Sequence, residues 1–234
     1  MTTVTMTMTT SRTPRPLPVR AVLFDLDGTL VDSAPDLGAA VNRMRERRGL
    51  ALMDDALLRP FASHGARGLI ATGLGITPEH GDYQEMRSEF LANYAAAICE
   101  RTILFPGVDE LLDRLDASTL KWGIVTNKFT ALTLQLLEAM ALRHRPGCIV
   151  CGDTTPKAKP HPEPLFAAAA MIDIPAAECI YVGDAERDIE AGNAAGMTTL
   201  VARYGYIGDH ETPHAWPAAG VLENPLDLIP WLPR

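Results

Sequence analysis

Five short apolar runs constrain this chain more than any other feature, because they are rich in β-branched and aromatic residues and most close on a small or acidic polar group. They are AVLFD (21–25), KWGIVTN (121–127), CIVCGD (148–153), CIYVGD (179–184) and MTTLVA (197–202). Runs that are continuously apolar rather than alternating suit strands buried on both faces, as in parallel sheets. Helical stretches lie between the later ones, at about 107–118, 130–141, 162–172 and 186–195. The pattern predicts an α/β fold with a doubly wound, mostly parallel, Rossmann-like sheet.

One connection breaks the rhythm. About ninety-five residues separate the first run from the second, whereas the other crossovers take about thirty. An inserted domain accounts for the excess: 34–100 reads as helices, for example 36–49 and 82–98, around a Gly-rich turn region at 63–75. The expected organisation is a core of 20–33 and 104–234, an α-helical cap of 34–103, and a disordered leader of 1–19 that is rich in Thr and Met, then Arg and Pro.

With 234 residues, 47% of them hydrophobic, the chain can bury a core without a covalent staple. Its four cysteines are too few for a disulfide framework, and the leader lacks the apolar stretch of a signal peptide, so a reducing, cytoplasmic setting is expected. No run approaches the ~18 apolar residues of a membrane span. The net charge of −8 disfavours nucleic acid as a partner but leaves room for a small anionic metabolite at a local cationic site. A monomer or a homodimer fits equally well.

In an open α/β sheet, ligands bind outside the carboxyl ends of the strands. The polar residues there are Asp25 and Asp27, Thr126 and Asn127, Asp153, and Asp184 with Asp188, while Lys159 follows the third strand on a Pro-rich loop. Carboxylates gathered in one crevice repel one another and need cations, here Lys159 and a bound metal. Oxygen ligands without Cys or His point to a hard ion, Mg²⁺, which commonly shares its coordination with a substrate phosphate. The set therefore suits phosphoryl transfer. Asp25, fixed at a strand end, is the candidate nucleophile, forming an aspartyl-phosphate. Asp27, beyond the bend that Gly28 permits, is the candidate acid/base. Thr126, Asn127 and Lys159 are the candidate phosphate-binding groups.

The segments DLDGT (25–29), VTN (125–127), KPHPEP (159–164) and GDAERD (183–188), in that order and with a helical insertion after the first, resemble the four motifs of haloacid dehalogenase-superfamily phosphatases. The resemblance covers nearly everything from 20 to about 207. It implies that Asp25 is the nucleophile and Asp27 the acid/base, that Thr126 and Lys159 bind phosphate, and that Asp184 ligates Mg²⁺ with Asp25 and the Asp27 carbonyl. Asp188 would then orient Lys159 or the groups around the metal. The chain departs from the pattern at Ala185, where many relatives carry Ser or Thr.

Within that superfamily, LFDLDGTLVDSAPDL (23–37), the cap placement and the segment Arg203 to Tyr206 are similar to phosphoglycolate phosphatases and to phosphatases of N-acetylmuramic acid 6-phosphate. The implied reaction is Mg²⁺-dependent hydrolysis of a small phosphorylated carboxylic metabolite. His64, Gly65 and Arg67 on the Gly-rich turn are the expected specificity contacts, with Arg67 suited to a substrate carboxylate. A phosphomutase of the same superfamily and a receiver-type phospho-acceptor are the rival readings. The cap and Asp27 argue against the receiver, since a switch needs neither a lid nor a leaving-group acid.

Two further matches read as decoys. Cys148 and Cys151 have metal-site spacing but lie in an apolar strand, where residues three apart face opposite sides. His210 and His214 match a zinc-protease pattern, but Pro213 would break the helix it needs.

Overall fold

The computed structural model describes residues 19–208 and 211–233. Its centre is a six-stranded sheet in the order β5-β4-β1-β6-β7-β8, built from β1 (Ala21–Phe24), β4 (Lys121–Val125), β5 (Cys148–Val150), β6 (Cys179–Gly183), β7 (Thr198–Ala202) and β8 (Gly220–Leu222), with every pairing parallel. The three-residue β8 extends the expected sheet by one edge strand.

Both faces of the sheet are covered, which is why its strands are apolar throughout. Val22 and Phe24 of β1 and Ile180 and Val182 of β6 pack into one core, whereas Ala21, Leu23, Cys179 and Tyr181 pack into the other. Helices α5 (Val108–Asp116) and α6 (Thr130–Ala139) supply Leu111, Leu112, Leu115, Leu136 and Leu137 to the first. Helices α7 (Glu163–Met171) and α8 (Glu186–Ala194) supply Leu165, Ala168 and Ala191 to the second.

The helical insertion contains α1 (Ala34–Arg47), α2 (Asp55–Leu58), a 3₁₀ turn (Arg59–His64), α3 (Gly65–Leu74) and α4 (Tyr83–Ala95). The Gly-rich segment expected as a turn region is therefore mostly helix. Leu69 and Ile70 are fully buried, and this packing outweighs the ~1 kcal/mol that each helical glycine costs. Gly73 has a positive role, because a Cβ there would collide with Val41 of α1.

Two short strands, β2 (Val31–Asp32) and β3 (Ile103–Leu104), pair antiparallel where the chain leaves and rejoins the core. The buried Asp36 carboxylate ties the same junction, accepting from the backbone N–H groups of Arg101 and Thr102 and from Thr102 Oγ1 at 2.6 Å. Of the expected leader, 1–18 lies outside the described residues, and Val19 is buried in the core. No described helix is long and apolar enough to cross a membrane.

Candidate active site

β1 and β6 lie side by side where the strand order reverses, so their carboxyl ends open the crevice in which such sheets bind ligands. Asp25 follows β1 and is locked to the sheet by its N–H bond to Val182 O at 2.9 Å; its Oδ1 accepts from Leu26 N. The chain then turns sharply, with Gly28 at φ +86° and its N–H on Val31 O. Only glycine fits there, since a Cβ would collide with the Asp184 carboxylate after β6.

Lys159 is the hub of the crevice. Its fully buried ammonium lies 3.0 Å from Asp25 Oδ1 and 2.8 Å from Asp188 Oδ1, and it also donates to Val125 O and Tyr181 Oη. Asp188 is itself pinned by the Ala185 N–H on Oδ2, so the helix start at Ala185 holds its acid without a hydroxyl at that position. The Asn127 side chain brackets the Lys159 backbone, donating to its C=O and accepting from its N–H. The side chain thereby anchors the lysine loop, and Asn127 also lines the cavity. Thr126 is buried, lines the cavity, and accepts from Lys128 N.

Among the described residues, Asp184 is a buried carboxylate without a partner charge in contact. It is 1% accessible and accepts from Ser63 Oγ (2.8 Å), Tyr206 N (3.0 Å) and Thr29 Oγ1, yet among the described residues it has no ion pair. Burial, with Asp25 and Asp188 nearby, pushes its carboxyl up to about 7. Burial also raises Asp25, against the pull of Lys159. One carboxylate oxygen each from Asp25, Asp184 and Asp188 lie within 4.8 Å of one another. An oxygen-only set with an unneutralised buried charge fits a hard cation.

Asp27 sits on the cavity side of the bend and is held by groups the sequence did not single out. Lys128 Nζ contacts its two oxygens at 2.6 and 2.9 Å, and Ser33 Oγ donates to Oδ1. Burial works against the Lys128 charge, but Asp27 and Tyr94 beside it hold the ammonium above its ordinary range. The Lys128 ammonium also lies 4.7 Å from the centre of the Tyr94 ring, which α4 brings across from the cap. Arg187 is a second such group: its guanidinium faces Asp188, Asp25 and Asp184 and donates to Ser63 O of the cap at 2.7 Å. Lys128 immediately follows the Thr-Asn pair and Arg187 precedes Asp188, so motif adjacency was the available signal for both.

Asp25, Asp27, Tyr94, Thr126, Lys128 and Arg187 line a cavity of about 830 Å³ between core and cap. His64, Gly65 and Arg67 line it too, on the 3₁₀ turn and the start of α3, and Arg87 of α4 lies over the Phe129 ring at 5.4 Å. Burial and the nearby Arg187 lower the His64 imidazole from its ordinary value. Asp153 does not join the site; it is exposed and accepts from the Thr130 N–H and hydroxyl at the start of α6. Cys148 and Cys151 are buried free thiols, with Cys148 pushed up to about 12 by burial. His210 lies outside the described residues, and His214 stands in a 3₁₀ turn.

A carboxylate at the tip of the central strand, a lysine hub and a helical insertion over the crevice define a hydrolase class, and the sequence agrees: residues 22–202 match the haloacid dehalogenase-like hydrolase family, to which the chain belongs. Membership in a hydrolase family sets aside the receiver-type reading. The chain is 42% identical over 214 residues to a phosphoglycolate phosphatase of Xanthomonas campestris, covering 92% of this chain and 96% of that protein. It is 40% identical over 210 residues to an N-acetylmuramic acid 6-phosphate phosphatase of Pseudomonas putida, covering 90% and 94%. The fold matches the crystal structure of a predicted phosphoglycolate phosphatase from Haemophilus somnus with a TM-score of 0.80 at 25% identity, over 91% of this chain and 97% of that one.

Proposed function

We propose that the chain is a Mg²⁺-dependent phosphatase that hydrolyses a small phosphorylated carboxylic metabolite, of the 2-phosphoglycolate kind, through an aspartyl-phosphate on Asp25. The observation that carries the reading is the buried Lys159 bridging Asp25 and Asp188 beside the unneutralised Asp184. Asp25, Asp184 and the Asp27 carbonyl are the groups proposed to hold the ion. When bound, it supplies positive charge that favours an anionic phosphoryl group beside the carboxylates. Asp188 is left to fix Lys159.

In the first step an Asp25 oxygen attacks phosphorus and the bond to the leaving alcohol breaks, with Asp27 giving its proton to the departing oxygen. Thr126 holds the non-bridging oxygens, and the Lys159 ammonium, fixed against Asp25, offsets the charge that builds on them. In the second step Asp27 takes a proton from water, the water oxygen attacks phosphorus, and Asp25 leaves as a carboxylate with inorganic phosphate as product. The cap, bearing His64, Gly65 and Arg67, selects the leaving group and keeps bulk water out until it opens.

The size of the cavity favours a second reading of the substrate. At about 830 Å³, with apolar walls at Leu91, Phe129 and Leu132, it has room for a sugar acid such as N-acetylmuramic acid 6-phosphate as well as a two-carbon acid. A panel of phosphate monoesters compared by kcat/KM separates the two. The mechanism is tested by Asp25→Asn, which is expected to abolish both phosphate release and hydroxylamine-labile phosphorylation of the protein. Turnover by that variant at more than a hundredth of the wild-type rate overturns the nucleophile assignment.

A further inference from the structure

Among the described residues, two buried side-chain polar atoms have no hydrogen-bond partner, Asn93 Nδ2 and Tyr94 Oη, and of these two residues only Tyr94 lines the active-site cavity. Tyr94 is 1% accessible, with its ring packed in the core that α4 shares with the sheet. An unpaired buried hydroxyl costs ~1–3 kcal/mol, a cost readily understood where the missing partner is a ligand. Its surroundings indicate what that ligand offers. The Asp27 oxygens are engaged by Lys128 and Ser33, and Lys128, 4.7 Å from the centre of the Tyr94 ring, is an ammonium that can only donate, so it takes up no hydroxyl proton. Burial pushes Tyr94 up to about 12, so it stays a neutral donor at working pH. A neutral O–H and an ammonium therefore stand side by side in the wall of the cavity that Asp27 also lines, and both favour an oxygen acceptor.

We propose that Tyr94, supported by Lys128, forms an acceptor subsite for the leaving group: its hydroxyl donates to an oxygen borne by the carbon next to the ester carbon. The claim rests on the phosphatase reading, in which Asp27 serves the ester oxygen. It selects monoesters carrying a carboxylate or ether oxygen at that position over plain alkyl phosphates. It also assigns the acceptor nearest the ester to the buried Tyr94 rather than to the exposed Arg67.

Tyr94→Phe tests this, because it removes the hydroxyl and keeps the ring under Lys128. The probes are 2-phosphoglycolate and ethyl phosphate, which share a two-carbon skeleton but differ in the carboxylate oxygens. The wild type is expected to prefer 2-phosphoglycolate. The variant should lose at least tenfold in kcat/KM on 2-phosphoglycolate and less than twofold on ethyl phosphate. A ligand-free readout accompanies it: deleting an unpaired buried hydroxyl should leave the melting temperature unchanged or raise it. Equal losses on both esters, no loss on 2-phosphoglycolate, or a lowered melting temperature overturns the subsite. A wild type that hydrolyses p-nitrophenyl phosphate without preferring 2-phosphoglycolate to ethyl phosphate overturns the subsite and leaves the phosphatase reading standing. A wild type inactive on all three esters with Mg²⁺ overturns both.

Discussion

Ser63 of the cap donates a 2.8 Å hydrogen bond to Oδ2 of Asp184 in the core, so the lid and the buried carboxylate meet at a single oxygen atom. Arg187 closes the same contact from the core side through the Ser63 carbonyl. Ser63→Ala removes one hydrogen bond from the closed state only. It should reduce kcat/KM by about fivefold to tenfold, the equivalent of ~1 kcal/mol, mainly through KM, while the melting temperature shifts little. Steady-state kinetics and a thermal melt on the same preparation check both halves.

Asp184 also makes a prediction about pH. Its carboxyl ordinarily titrates at 3.8 and is pushed up to about 7 in the fold, so the folded chain keeps a proton that the unfolded chain has lost. That penalty is absent below 3.8, grows as pH rises, and is complete above about 7. Asp25 is raised as well and acts in the same direction. Without metal, Asp184→Asn should flatten this loss and raise the melting temperature at pH 8 by several degrees. Added MgCl₂ should stabilise the wild type and not the variant, while a chelator abolishes wild-type turnover. Melts at pH 5 and pH 8, with and without MgCl₂, measure each part.

The Lys128–Asp27 pair is mostly buried, with side chains 8% and 16% accessible. Removing one member of such a pair leaves the other uncompensated, at a cost of ~3–5 kcal/mol. Lys128→Met should therefore destabilise the fold strongly, while adding Asp27→Asn in the same chain should recover much of the loss. Urea unfolding of the two single variants and the double variant gives the coupling energy; simple additivity would mean the pair is not coupled.

Gly73 lets α3 approach α1, and a methyl group there meets Val41. Gly73→Ala should cost ~1–3 kcal/mol through overpacking, despite the better helix propensity of alanine. Val41→Ala in the same chain should relieve part of that cost. Thermal melts of the single and double variants decide it.

The strand-tip residues were legible because each is the polar end of an apolar run, and the run itself sets where the sheet stops. Asp25 and Asp184 could be named this way, Asp27, Asp188 and Lys159 from their places shortly after a run, and the insertion from the length of one crossover. Ser63 and Tyr94 were not, because their roles arise from the approach of distant segments and no local pattern records that approach; Lys128 and Arg187 were marked only by standing next to motif residues. Asp153 misled for the opposite reason: it also follows a strand, but its partner is the start of the neighbouring helix. Asn127 was legible as a cavity residue, but not its hold on the Lys159 backbone, which joins segments 32 residues apart. Helix α3 was misread because glycine count suggests a breaker, whereas Gly73 serves close helix packing.

The antiparallel pairing of β2 with β3 sets the two ends of the insertion one strand spacing apart, ~4.8 Å, which is a distance that a tight hairpin turn closes. The lid is thus plugged into its scaffold like a cartridge. Excising it for a short loop, or grafting another in its place, breaks no pairing of the main sheet, so the carboxylates beneath stay in register.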